Sequence, residues 1–124
     1  PGKGAIYFFA GATLALLLFE KSIAMASVSI LALGDSLAPL VGQFGKIRHP
    51  IAKDKFVEGV TAGTLAAFLG ALIFVKPQEA LAASVLAMVA EGMNIRLFGQ
   101  RLDDNIIIPV VAGTVIMGMR SAGI

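Results

Sequence analysis

A chain of 124 residues is long enough for one compact domain and too short for two. Its hydrophobic fraction of 57% and mean hydropathy of +0.87 exclude an ordinary soluble domain. The net charge of +2 makes the basic residues topology markers rather than a nucleic-acid surface, and the absence of cysteine excludes disulfides, thiol catalysis and cysteine-ligated zinc.

The apolar residues fall in long blocks, which predicts an all-α, polytopic transmembrane bundle of about five spans forming a single integral-membrane domain, 1–124. The first span, about 4–19, lies between Lys3 and the pair Glu20–Lys21. The second, about 22–41, carries Asp35 and Pro39 and is followed by a polar, basic loop to Glu58. A third span, about 59–75, ends before Lys76, with Pro77 as its stop. The fourth, about 80–98, runs through Glu91, and a second polar loop leads to the fifth, about 106–119. The chain begins at Pro1 with no leader pattern, so further spans upstream are expected.

Alternating spans sort the charges by face. Lys3, Lys46, Arg48, Lys53, Lys55, Arg96 and Arg101 fall on one side, against Lys21, Lys76 and Arg120 on the other, so the first side is expected to be cytoplasmic. Asp54, Glu58, Asp103 and Asp104 share that side, and Asp35 and Glu91 lie near it within their spans. In the third span Gly59, Gly63, Ala67 and Ala71 recur every four residues, the spacing of a close helix–helix contact.

Residues 31–46 concentrate the chemistry. A carboxylate within an apolar span costs about 2.5–3.5 kcal/mol on insertion scales, which singles out Asp35. Pro39 has no N–H to donate, and its helical acceptor four residues back is the Asp35 carbonyl. A carboxylate and a main-chain oxygen together suit a hard cation such as Mg²⁺; the alternative is a kinked packing position. In the loop, Lys46, Arg48, Lys53 and Lys55 read either as phosphate ligands or as an anchor on anionic lipid. Glu58–Gly59 at a helix start tilts that choice toward phosphate, because free helix N-terminal N–H groups bind it well. Glu91 reads as a metal ligand or as an interfacial side chain, and Asp103, Asp104 and Asn105 as ligands or helix caps. His49, the single histidine, reads as a loop residue; the serines have no histidine beside them for a hydrolytic triad, and no Walker-type loop is present.

Three segments together are specific: 34–46 with its Gly-Asp, Ala and spaced glycines, 55–59 (Lys-Phe-Val-Glu-Gly), and 104–109 (Asp-Asn-Ile-Ile-Ile-Pro). In that order they resemble the dolichol kinase/phytol kinase family, CTP-dependent lipid kinases distantly similar to phosphatidate cytidylyltransferases. The resemblance implies transfer of a phosphoryl group from CTP to a lipid alcohol at the cytoplasmic face. It implies nucleotide contacts at Gly34, Gly42, Gly45, Lys46, Lys55 and Gly59, and catalytic roles for Asp35, Lys55 and Glu58. Mg²⁺ would then be held among Asp35, Glu91, Asp104 and Asn105. Two departures stand out: Phe56 replaces the family's usual Ser or Thr, and the chain is N-terminally short for a member. The expected partners are CTP, the lipid alcohol and the membrane, with self-association left open. Cytidylyl transfer and small-solute transport along Asp35 and Glu91 are the competing expectations.

Overall fold

The computed structural model describes residues 3–47, 57–92, 96–97, 100–101 and 104–124. Arg48, His49, Lys53, Asp54, Lys55, Phe56 and Asp103 lie outside the described residues, as do the side chains of Asp104 and Asn105. The described part is helical, as expected: α1 (Lys3–Leu18), α2 (Lys21–Gly42), α3 (Val57–Ala71), α4 (Pro77–Gly92) and α5 (Asp104–Ser121). A two-residue antiparallel ribbon, β1 (Arg96–Leu97) with β2 (Gln100–Arg101), precedes α5 and pairs Arg96 with Arg101.

Three boundaries differ from the sequence expectation. α4 stops at Gly92 instead of running to residue 98, because glycine readily ends a helix and the chain beyond it turns back as the ribbon. α3 stops at Ala71, where the main chain tightens: Ile73 N–H donates to the Gly70 carbonyl at 3.3 Å and Phe74 N–H to the Ala71 carbonyl at 3.0 Å. Pro77 opens α4 at its first position, where a missing N–H costs nothing, with Lys76 as the cap residue. Pro39 does not end α2, which continues through it to Gly42.

Successive helices run in opposite directions. Glu58, at the start of α3, bonds the chain leaving α2, and Arg120, at the end of α5, bonds Glu79 at the start of α4 and Glu20 before α2. The starts of α3 and α5 therefore lie at the same end of the bundle as the last residues of α2 and α4. We refer to this as the Glu58 end and to the other as the Arg120 end.

Packing rests on small residues. Gly59, Gly63, Ala67, Gly70 and Ala71 are the buried stripe of α3, which confirms the four-residue spacing as a contact face. The answering stripe on α2 is Gly34, Ala38 and Gly42. A side chain at Gly59 would collide with the Ala38 carbonyl and reach 2.7 Å from the Gly42 Cα; one at Gly63 would come 2.8 Å from the Gly34 carbonyl. The interior is otherwise rich in alanine, with Ala24, Ala26, Ala80, Ala83, Ala87 and Ala112 all fully buried beside Ile30, Leu31, Ile108 and Ile116. Outward positions carry the large apolar side chains instead: Ile6, Phe9 and Leu17 on α1, Leu65 and Leu69 on α3, Leu81, Val85 and Val89 on α4. Among the described residues, α2 is the one helix both long and apolar enough to cross a membrane.

Candidate functional site

Four chain segments meet at the Glu58 end, and each brings a residue singled out by the sequence. The end of α2 is closed by its own main chain: Gln43 N–H donates to the Pro39 carbonyl at 3.1 Å, Phe44 N–H to Val41 at 3.0 Å and Gly45 N–H to Gly42 at 2.9 Å. The next two N–H groups turn to α3. Lys46 N–H donates to Glu58 Oε2 at 2.6 Å, and Ile47 N–H to Glu58 Oε1 at 3.1 Å. In return, Val57 N–H donates to the Ile47 carbonyl at 2.8 Å. The loop between residues 47 and 57 thus departs and returns at one hydrogen-bonded tie.

This arrangement lowers the Glu58 pKa. The Lys46 N–H is the largest cause, followed by the N–H of Glu58 itself; partial desolvation opposes them, and the Ile47 N–H and the Lys46 charge add to the lowering. Glu58 is therefore held ionised at neutral pH and is a weak proton acceptor. The expected phosphate site at the start of α3 is also altered, since the N–H groups of Val57 and Glu58 already have acceptors. Lys46 and Ile47 are exposed beside this tie, and Gly45 is half-buried.

The other glycines assigned to nucleotide contact occupy the helix interface. Gly34, Gly42 and Gly59 are buried, and the space opened by their missing side chains is filled by Met88, by each other and by Ala38. Their need for small size is met by helix packing.

Asp35 is half-buried in α2, and Glu91 is buried near the end of α4. Gly34 faces Met88, whose Sδ is 2.8 Å from where a Gly34 Cβ would stand. Asp35 follows Gly34, and Glu91 lies three residues beyond Met88, about 4.5 Å further along a helix parallel to α2. The two carboxylate-bearing positions therefore share one level of the bundle. Asp104 and Asn105 open α5. That start lies at the end of the bundle reached by Glu91, because α5 runs antiparallel to α4. No group of three or more histidine, aspartate or glutamate side chains able to hold a metal is present among the described residues. Asp35 and Glu91 are the described carboxylates at this level, and a carboxylate oxygen is the kind of donor a hard cation takes.

The Arg120 end holds a second polar cluster to which the sequence reading assigned no role. Arg120 Nε donates to Glu79 Oε2 at 3.1 Å and its Nη2 to Glu79 Oε1 at 3.3 Å, a two-pronged pair. Its Nη1 bonds Glu20 and, at 3.1 Å, the Ser22 hydroxyl. Lys76 N–H donates to Glu79 Oε1 at 3.3 Å in the manner of a capping box, while Lys76 Nζ reaches the Ile124 carbonyl at 3.0 Å. Glu79 and Arg120 lie beyond the expected spans 80–98 and 106–119. Burial of Glu79 raises its pKa, but the Arg120 hydrogen bonds, the Lys76 N–H and both positive charges outweigh it and leave it lowered. Arg120 is raised, first by its bonds to Glu79. A shallow cavity of about 340 Å³ beside the cluster is lined by Glu20, Ile23, Met117, Arg120 and Ser121. Nothing in the sequence links Arg120 to a glutamate 41 residues earlier; only the helix directions bring them together.

No family model and no solved structure matches the chain. Among curated proteins it is similar to an uncharacterised protein of Methanocaldococcus jannaschii, 30% identical over 116 residues. The match covers 93% of this chain and 58% of that protein, so the chain spans little more than half the length of its relative.

Proposed function

We propose that the protein is an integral-membrane, CTP-dependent lipid kinase that phosphorylates a lipid alcohol at the cytoplasmic face, with the Glu58 end as its active end. The observation that carries this reading is the tie between Lys46 and Glu58 at the end of the bundle where α4 finishes just past Glu91 and α5 begins at Asp104, with Asp35 about 10 Å before the end of α2, next to outward faces of leucine, phenylalanine and valine. Small residues inside and large apolar residues outside are what a helical bundle needs when its surroundings are hydrocarbon, since burying leucine gains nothing there while close backbone approach still does. That pattern supports several spanning helices, including α3 and α4, which are short for a bilayer of about 30 Å.

Phosphoryl transfer demands in-line positioning and neutralisation of triphosphate charge. In this reading Asp35 and Glu91, with Asp104 and Asn105 of α5, would hold Mg²⁺, which when bound supplies positive charge to the phosphate oxygens. Lys46, together with Lys55, meets the remaining phosphate charge. Glu58 is poorly suited to take the proton of the lipid hydroxyl, because two main-chain N–H groups already hold its carboxylate. The apolar outer faces beside this end accommodate the lipid tail.

The purified protein in lipid–detergent micelles, given Mg²⁺, a polyprenol, phytol or diacylglycerol acceptor and labelled CTP, is expected to release CDP and form a lipid phosphate. Release of pyrophosphate from a lipid-phosphate acceptor would instead make it a cytidylyltransferase. Ion flux into liposomes without CTP turnover would make it a transporter.

A further inference from the structure

Every main-chain N–H from Gln43 to Ile47 has an acceptor, and the last two share the Glu58 carboxylate. Consecutive N–H groups converging on one anion form the kind of concavity that elsewhere receives a phosphate. Here the anion is built into the chain. Glu58 itself is supported from behind: a Cβ built on Gly59 would collide with the Ala38 carbonyl and stand within 3 Å of the Gly42 backbone, so the start of α3 is packed closely against α2. The Val57–Ile47 bond of 2.8 Å closes the same tie from the other strand of the loop.

We propose that Glu58 is a positioning residue, an internal anion that occupies the main-chain nest at Lys46–Ile47 and thereby leaves the Lys46 ammonium, not the loop's N–H groups, to contact the nucleotide phosphate. The inference rests on the kinase reading for the identity of the ligand, but not for the clamp itself. Its chemical consequence is a division of labour on one short turn. The carboxylate sets where the turn stands, and the exposed lysine, a compact point charge on a flexible stem, supplies the attraction without a fixed hydrogen-bond geometry. The lowered pKa of Glu58 agrees with a permanently ionised clamp.

The test compares Glu58→Gln, which keeps one acceptor oxygen, with Glu58→Ala, which keeps none, in the full chain. Hydrogen exchange at the Lys46 and Ile47 amides is expected to accelerate at least tenfold in the alanine variant and by a smaller factor in the glutamine variant. The KM for Mg²⁺–CTP should rise about tenfold and about threefold respectively, while the shape of the kcat–pH profile stays where it is. Loss of turnover in Glu58→Gln with both amides still protected would overturn the proposal and make Glu58 a proton-transfer residue. Unchanged amide exchange in Glu58→Ala would overturn it too. Should the native protein turn over no CTP, the kinase reading fails by itself, and amide exchange still decides the clamp.

Discussion

At the Arg120 end, charged side chains are matched with one another: a buried glutamate and an exposed one share a single guanidinium, and a lysine completes the set. At the Glu58 end, Glu58 is bonded to main-chain N–H groups, and Lys46 stands exposed next to it. Both ends join helix termini by way of a carboxylate, yet in the first it pairs with charged side chains and in the second with main-chain N–H groups. A closed ion network serves folding. A carboxylate held by main-chain N–H groups beside an exposed lysine is, in the proposed reading, where a charged substrate docks.

The largest effect should come from breaking the closed end. Arg120→Ala leaves Glu79 buried without its main partner and should lower stability by about 3 kcal/mol, the low end for a broken buried pair because Arg120 is 32% exposed. Replacing both members, as Glu79→Leu with Arg120→Met, should recover most of that loss. Chemical unfolding in detergent reads both, and a native-like midpoint for Arg120→Ala would show that the network contributes nothing.

Asp35→Asn sharpens the contrast from the other side. It should reduce CTP turnover by at least about a hundredfold, the scale for losing one charge-stabilising group, while the unfolding midpoint stays near the native value. Retained turnover would remove Asp35 from the mechanism.

Helix packing near the Glu58 end gives an intermediate effect. Gly59→Ala forces its new Cβ into the Ala38 carbonyl and should destabilise by about 1–3 kcal/mol. Gly118→Ala, which meets no atom within 4 Å, should instead gain up to about 1 kcal/mol from helix propensity. Equal behaviour of the two variants would contradict the close α2–α3 contact.

The smallest effect is on acid. Glu58 and Glu79 both have pKa values below the ordinary 4.5, so each contributes stability that is complete above that value and is lost as pH falls through its lowered folded pKa. The amides of Lys46 and Ile47 should therefore keep their protection at pH 5 and lose it well below pH 4.5. Loss already at pH 6 would point to a different group.

Much of the helical layout was legible in advance, because long apolar blocks bounded by charge and the Gly59–Gly63–Ala67–Ala71 spacing are local signals. The partner stripe Gly34–Ala38–Gly42 has the same four-residue spacing and was legible as well, but the glycines drew attention as nucleotide contacts instead. Helix ends were less legible. Whether α4 ran to residue 98 or stopped at Gly92 depended on the ribbon beyond it, which two residues per strand barely announce.

By itself the sequence determined that the chain is helical and that its helices alternate in direction, since hydrophobic periodicity and charge placement are properties of neighbouring residues. The tertiary structure alone decided that Arg120 meets Glu79 and Glu20, and that Glu58 grips main-chain N–H groups in place of a free phosphate site. Those outcomes depend on which helix ends come together across tens of residues, and no local pattern encodes that pairing.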